Sequence, residues 1–594
     1  MANPLPTYPE QNAAQDLGLD ESRLEAATTV DRNVLALAGP GSGKTHLLVA
    51  HAVYLARTQV GNILALTFSR NAAQELQERI SQKLNPNESR RISTGTIHTY
   101  ALRLLDAYGY RLGLGRPFEV LEEPDVDALA QKVAIRHGFS PVHGFARQLS
   151  RLLRRRLLSE ADRAGTTLIG KVLSDMCHTG KLSWELCIDL AEELLKDPAV
   201  RSSVQHHDRF VLLDEAQDCD WAQLSFLRQL VGTNHIFVAM DPDQSLYAFR
   251  DADPAQALNW ANSFDPIEFQ LTESYRCPPN IMALADRILG KTSRQPNIPD
   301  SGSTNFFVES NRANEAKFVA QKVIERIAEG VPAKEITVLC RRNGPLDLVE
   351  QELKSSEIKV RRKIQTEFSS AEQQLIGTLQ LLHELEEGSP ISALAIRALS
   401  DLGCSREATR DLEARVIHGE IIDPLAAVDN AQWKEIIGIR EQTRHLSRLI
   451  PKVADVLDLD IPETSPLIRL THEARTLSLL IRRCRQGALA SPETSNEVLV
   501  TTFHGSKGLE FQTVFIMACE DGVIPDFRAA RNEWVQERRA LYVAVTRASN
   551  EVLITAVRKD KGRNLEPSPF LPLNQRNLWT SIEGTRKGPV RLRD

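Results

Sequence analysis

Short apolar runs separated by amphipathic stretches open the chain. Asn33 to Ala38 and Ile63 to Thr67 are predicted strands, and the stretch after Lys44 and Ala72 to Leu84 are predicted helices. Strands of that length alternating with helices are the pattern of a parallel α/β sheet. The pattern resumes with predicted strands at Phe210 to Leu213, His235 to Val238, Glu335 to Leu339, Glu497 to Thr501, Thr513 to Met517 and Glu551 to Ala556.

Two stretches interrupt it. Residues 107–205 and 370–495 carry Leu, Arg, Glu and Ala at helical spacing, with few strand-like runs. The fold class expected is therefore α/β: two parallel-sheet cores, each interrupted by a mainly helical insertion. The first core spans 1–106 and 206–285, the second 286–369 and 496–594 with the C-terminal tail. The insertions are 107–205 and a short one at 370–495.

Length and composition agree with this. A chain of 594 residues exceeds one compact core, and 42% hydrophobic with 25% charged residues is ordinary globular usage. The net charge of -6 excludes a uniformly basic nucleic-acid coat, so any strand-binding surface has to be a local groove. Eight scattered cysteines form no CxxC pair, which leaves zinc ribbons, redox motifs and iron-sulfur clusters without support. The N-terminus shows no signal-peptide pattern and no run long enough to span a bilayer, so the expectation is a cytoplasmic protein without membrane attachment.

The chemistry begins directly after the first strand, at Ala38-Gly39-Pro40-Gly41-Ser42-Gly43-Lys44-Thr45. Glycines let backbone amides close around phosphates, Lys44 reaches the terminal ones, and the Thr45 hydroxyl can ligate Mg2+. The general pattern has Gly where Ala38 stands. A second element, Val211 to Asp218 (VLLDEAQD), delivers adjacent acids at the end of an apolar strand. Asp214 is assigned to the metal and Glu215 to the base that takes a proton from the attacking water.

With those motifs in hand, the chain resembles the UvrD/Rep/PcrA group of superfamily 1A helicases from about residue 19 to 570. Thr67 to Ala73 (TFSRNAA) resembles the family's TFTNKAA, Gly95 to His98 its GTFH, and Asp241 to Arg250 (DPDQSLYAFR) its DxDQSIYxWR. Ser274 to Arg276 resembles NYR, Thr502 to Phe511 (TFHGSKGLEF) resembles TLHSAKGLEF, and Glu537 to Ala548 resembles EERRLAYVGVTRA.

The resemblance implies RecA-like cores and an ATP- and Mg2+-dependent motor that moves 3' to 5' on single-stranded DNA and acts at single-strand/duplex junctions. Arg276 and Arg547 match the arginine fingers, Gln244 a γ-phosphate sensor, Tyr275 the residue stacked on adenine and Glu510 the one near the ribose. Phe68, Tyr247 and Phe249 are the implied base platforms, with His98, Arg250, His504 and Lys507 as strand contacts. Repair, recombination or phage defence is the implied setting, with a protein partner in such a complex. The alternative is an ATP-gated single-strand-binding regulator with little unwinding of its own, which the short second insertion favours.

Several departures stand out. Family members read adenine with a Gln ahead of the P-loop. The usual spacing puts Arg23 there, whereas Gln11 sits in a more family-like context but too early, and the choice between them stays open. With Arg23 in that slot, discrimination of ATP from GTP is expected to weaken. Met240 replaces a usual Gly, and Phe249 a usual Trp. The arginines at 147, 151, 154, 155 and 156 lie where relatives contact duplex DNA or, equally, form a solvated face. Too little chain follows Ala556 for a nuclease domain.

Overall fold

In the computed structural model, the described residues are 17–584 except 116–117, 122, 141–143, 292–297, 299–300, 363–369, 387–394, 396–397, 400, 418–422, 444, 462–464, 474–475 and 487–495. The chain divides into two compact units, one made of residues 1–109, 188–363 and 494–594, the other of 110–187 and 364–493.

The first unit holds both sheets. Strands β1 (Val34–Ala38), β2 (Asn62–Thr67), β3 (Ile92–Thr96), β4 (Asp208–Leu213), β5 (His235–Met240) and β6 (Ile267–Leu271) form an all-parallel sheet of order β3-β2-β4-β5-β1-β6. The central strands read as unbroken apolar runs because helices cover both faces. At the edges, β3 is ISTGT and β6 is IEFQL, each only partly buried. These edge strands lack the apolar run and were not predicted.

The second sheet is built from β7 (Ser303–Asn311), β8 (Ile336–Cys340), β9 (Val360–Arg362), β10 (Val498–Thr502), β11 (Phe511–Ile516), β12 (Ala548–Asp560) and β13 (Ser581–Gly584), in the order β9-β10-β8-β11-β12-β7-β13. These pairs are parallel, and Arg563–Asn564 adds an antiparallel turn-back onto β12. The Pro279–Leu289 helix buries Ile281, Leu284 and Ile288 with Phe306, Val552 and Leu541, so it packs with the second sheet although the expected boundary cut it at 285/286.

The second unit is mainly helical. In it, a two-stranded parallel pair, Glu119–Leu121 with Lys181–Ser183, interrupts the first insertion. The later insertion packs its helices around Trp433, Leu449 and Ile450. Residues from Ile188 onward belong to the sheet-bearing unit, so the first insertion ends earlier than the expected 205. The two RecA-like cores and their helical insertions are the architecture expected.

Candidate active site and strand track

The phosphate loop is held by its neighbours before any ligand arrives. Ala38 is still paired with Leu271 in the sheet, which is why the first position of the motif does not require glycine. Gly39 N donates to the Leu271 carbonyl at 3.2 Å, and Ser42 Oγ donates to Gly39 O at 2.8 Å. Ser274 Oγ donates to Pro40 O at 2.9 Å, and Tyr275 N to Gly41 O at 2.9 Å. Gly41 has φ +67°, and a Cβ there would lie 2.4 Å from Arg276 Cβ. No other residue fits that position. The Lys44–Thr58 helix starts from Gly43 with no side-chain cap, leaving its first-turn amides for an anion.

The acids stand opposite. Strand β4 ends at Leu213, and Asp214 N donates to Leu66 O at 2.9 Å, which seats the carboxylate beside the loop. Thr45 Oγ1 donates to Asp214 Oδ2 at 2.9 Å. Burial and the charge of Glu215 raise the Asp214 carboxyl above its usual range, against Lys44 and the Thr45 hydrogen bond. Glu215 adopts a left-handed backbone at φ 57°. Burial would raise its carboxyl too, but Lys507 and Lys44, the Gln217 hydrogen bond and Arg547 outweigh that and hold it ionised. An ionised carboxylate can accept a proton.

Thr45 and Asp214 offer the hard oxygen donors Mg2+ takes. Among the described residues no cluster of three or more His, Cys, Asp or Glu could hold a metal by itself.

The second sheet supplies Arg547, and the segment after β6 supplies Arg276. Arg547 is 1% exposed. Its Nε donates to Val543 O at 3.0 Å, one Nη to Leu509 O at 3.2 Å and the other to Gln244 Oε1 at 2.9 Å. The carboxylate of Glu215 acts on its charge from nearby, without a direct hydrogen bond to it. Burial, then Arg276, push it down to about 10. A buried guanidinium held by neutral oxygens is a site with charge to spare for an anion. Arg276, whose backbone touches the loop at Gly41, donates from Nε to Glu510 Oε2 at 2.7 Å. Gln244 Nε2 donates to Asp241 Oδ2 at 2.6 Å, and Asp241 faces Lys44 Nζ at 3.5 Å. Thus Arg547, Gln244, Asp241 and Lys44 form one continuous chain of contacts.

Lys507 departs from the expectation of a strand contact. Its ammonium donates to Asp218, bonds Gln244 O at 3.0 Å and lies 3.6 Å from Glu215. Only about a tenth of the side chain is exposed. Interior acids claim its charge, and its ammonium lies 5.4 Å from the centre of the Tyr247 ring.

The aromatics form a ladder. Phe68 and Tyr247 have centroids 4.6 Å apart, Tyr247 and Phe249 5.9 Å, and Phe249 and His504 5.7 Å. Phe249 is 67% exposed, and Arg250 beside it is exposed. Burial, then Arg250 and Arg70, lower His98 to about 4, and burial, then Arg341, lower His504 to about 4. At neutral pH both offer hydrogen bonds rather than charge.

At the other end of the nucleotide loop, the Arg23 guanidinium lies 4.1 Å over the Tyr275 ring and donates to Ser42 O at 2.8 Å. Gln11 lies outside the described residues. Met240 is fully buried at the end of β5, a packing position. Of the basic helix, Arg154 pairs with Glu185 at 3.1 Å, both half-buried, and Arg147 pairs with Glu123 at 3.4 Å on the surface of the helical unit.

Three polar residues escaped sequence reasoning. Gln217 accepts from Asp241 N at 3.0 Å and donates to Glu215, Asp218 receives Lys507, and Ser274 holds the loop. Each stood inside a quoted motif, and the available signal was a polar residue at a position otherwise reserved for burial.

The domain family described as "UvrD/REP helicase N-terminal domain" matches residues 19–265, and "UvrD-like helicase C-terminal domain" matches residues 425–559. The chain is 24% identical over 614 aligned positions to DNA helicase II of Haemophilus influenzae, covering 91% of this chain and 84% of that one. It is 24% identical to a probable DNA helicase II homolog of Mycoplasma capricolum, over 94% and 88% of the two chains. It is 23% identical to the ATP-dependent DNA helicase PcrA of Staphylococcus aureus, over 90% and 83%. No helix among the described residues is long and apolar enough to cross a membrane. With both family domains matched in order, on a fold whose two sheets converge on one phosphate loop, the chain belongs to the UvrD/Rep/PcrA-like helicases and is an ATP-dependent DNA helicase.

Proposed function

We propose that the chain hydrolyses ATP to move 3' to 5' along single-stranded DNA and to open adjoining duplex. The observation that carries this is the buried Arg547 guanidinium, which reaches Gln244 from the other sheet and stands near the Glu215 carboxylate. A γ-phosphate seated by Lys44 and the loop amides would complete that site and draw the sheets together. Thr45 and Asp214 would hold Mg2+, which supplies charge neutralisation at the phosphates when bound. Glu215, kept ionised by Lys507 and Lys44, would accept the proton of the attacking water.

Gln244 belongs to the same short segment as Tyr247 and Phe249, so a change in its contact with Arg547 is passed directly to the aromatic ladder. That continuity supports translocation over a passive clamp. Polarity, work in DNA repair, recombination or phage defence, a cytoplasmic setting and a protein partner rest on kinship with the helicases named above.

The test is an unwinding assay with 3'-tailed and 5'-tailed duplexes. Strand release from the 3'-tailed substrate alone, abolished in Glu215→Gln, is the expected result. DNA-stimulated hydrolysis without strand release from either substrate would support the clamp reading instead. Hydrolysis indifferent to DNA would overturn both.

A further inference from the structure

The base end of the nucleotide pocket is unlike its phosphate end. Among the described residues it includes the Tyr275 ring, the Arg23 guanidinium and the carboxylates of Asp20 and Glu273. Tyr275 is 46% exposed although its backbone is locked to the loop through Gly41 O. Its hydroxyl donates to Glu273 at 2.7 Å and reaches Asp20 at 3.5 Å. The Arg23 plane lies over the ring, with one Nη on Ser42 O at 2.8 Å and the other 3.3 Å from Asp20 Oδ2. The Arg23 side chain is only 11% exposed, so it is a seated group and not a loose surface arginine.

An arginine has five N–H donors and no acceptor. Two are engaged by Ser42 and Asp20, which leaves three for a ligand. A base emerging from the phosphate loop toward Tyr275 therefore meets donors from Arg23 and acceptors from Asp20 and Glu273. Guanine presents two adjacent acceptors, O6 and N7, and guanidinium pairs with both at once. Adenine presents N7 beside an amino donor, so it can use one Arg23 donor while its amino group turns to a carboxylate. Neither purine leaves a like-for-like clash.

We propose that Arg23 is the base-selecting residue of this pocket and that it makes the enzyme a dual purine nucleotide user, hydrolysing GTP as well as ATP. This rests on the nucleotide-hydrolysing reading above. Arg23 acts on the base and not on the reacting phosphate, so its effect falls on KM and leaves kcat nearly unchanged.

The experiment is steady-state hydrolysis of ATP, GTP and ITP by the full chain with saturating single-stranded DNA, for wild type and Arg23→Gln. GTP and ITP are expected within about tenfold of ATP in kcat/KM for wild type, and Arg23→Gln should shift the ratio toward ATP by about tenfold, the scale of one bidentate base contact. A wild type that rejects GTP, or a ratio that Arg23→Gln leaves unmoved, overturns the inference while leaving the ATPase intact. Hydrolysis of no nucleotide overturns the underlying reading instead. Should the variant not fold, 7-deaza-GTP on wild type serves: loss of N7 raises KM if Arg23 reads that edge, and an unchanged KM overturns the inference.

Discussion

Arg547 donates to the side-chain oxygen of Gln244 at 2.9 Å, which joins the second sheet to the first at the mouth of the phosphate loop. The guanidinium is buried among carbonyls, and its removal takes away charge where the γ-phosphate is expected. Arg547→Ala should lower DNA-stimulated kcat by about a thousandfold, as for other arginine fingers, with nucleotide affinity changed far less. Single-turnover hydrolysis beside fluorescent-nucleotide binding separates the two, and a parallel loss of both would deny Arg547 a role in the chemical step.

Gly41→Ala tests the loop. The new Cβ would lie 2.4 Å from Arg276 Cβ at a backbone φ of +67°, so loop or finger has to move. Nucleotide binding should be lost and stability should fall by about 1–3 kcal/mol from strain alone. Calorimetric titration that finds wild-type affinity would show the contact to be dispensable.

Lys507 and Asp218 form a buried pair in which desolvation raises the Asp218 carboxyl while Lys507 lowers it. Lys507→Met alone should cost about 3–5 kcal/mol, because it strands a buried acid. Adding Asp218→Asn should restore much of that. Urea unfolding of the double-mutant cycle reads the coupling, and additive losses would mean the two do not depend on each other.

Phe249 is two-thirds exposed, so its ring contributes little to folding. Phe249→Ala should weaken single-strand binding by about 1–3 kcal/mol, with the melting temperature unchanged. Anisotropy with labelled oligonucleotides decides. Unaltered affinity would remove Phe249 from the track.

His51 is fully buried, bonded through Nδ1 to Ala27 O at 2.9 Å and through Nε2 to His235 at 3.0 Å. Burial, then His235, depress it from 6.5 to about 3. The unfolded chain takes a proton below pH 6.5 and the folded one does not, so stability is fully present above pH 6.5 and falls toward pH 3. The loss is about 1.4 kcal/mol per pH unit for that one proton. The melting-temperature difference between wild type and His51→Phe should therefore shrink as pH drops from 6.5 to 4, and a pH-independent difference would refute the assignment.

Much of this site was readable because its residues sit in runs with a single physical meaning. An apolar strand followed by glycines, Lys and Thr has few other uses, and Asp214 and Glu215 follow another such strand. The cores were legible for the same reason. Strands β3, β6, β7, β9 and β13 were not, because edge positions and polar buried residues such as Thr304 and Asn305 break the apolar signal. The acid partner of Lys507 was not legible, because a basic residue in a strand-binding motif looks identical whether it faces phosphate or a buried acid. Only the fold reveals Asp218 beneath it. Conversely, spacing offered Arg23 beside Gln11 as the adenine-reading residue without choosing between them, and the stacking of Arg23 on Tyr275 required the loop to be folded.

The placement of Arg547 among neutral oxygens carries one more expectation. A pocket that attracts the γ-phosphate so strongly holds inorganic phosphate after hydrolysis by the same attraction. The cleaved product would then be retained until the sheets part. On the proposed role of Arg547, product inhibition by phosphate and a cycle paced by phosphate escape instead of bond cleavage are the expected outcome.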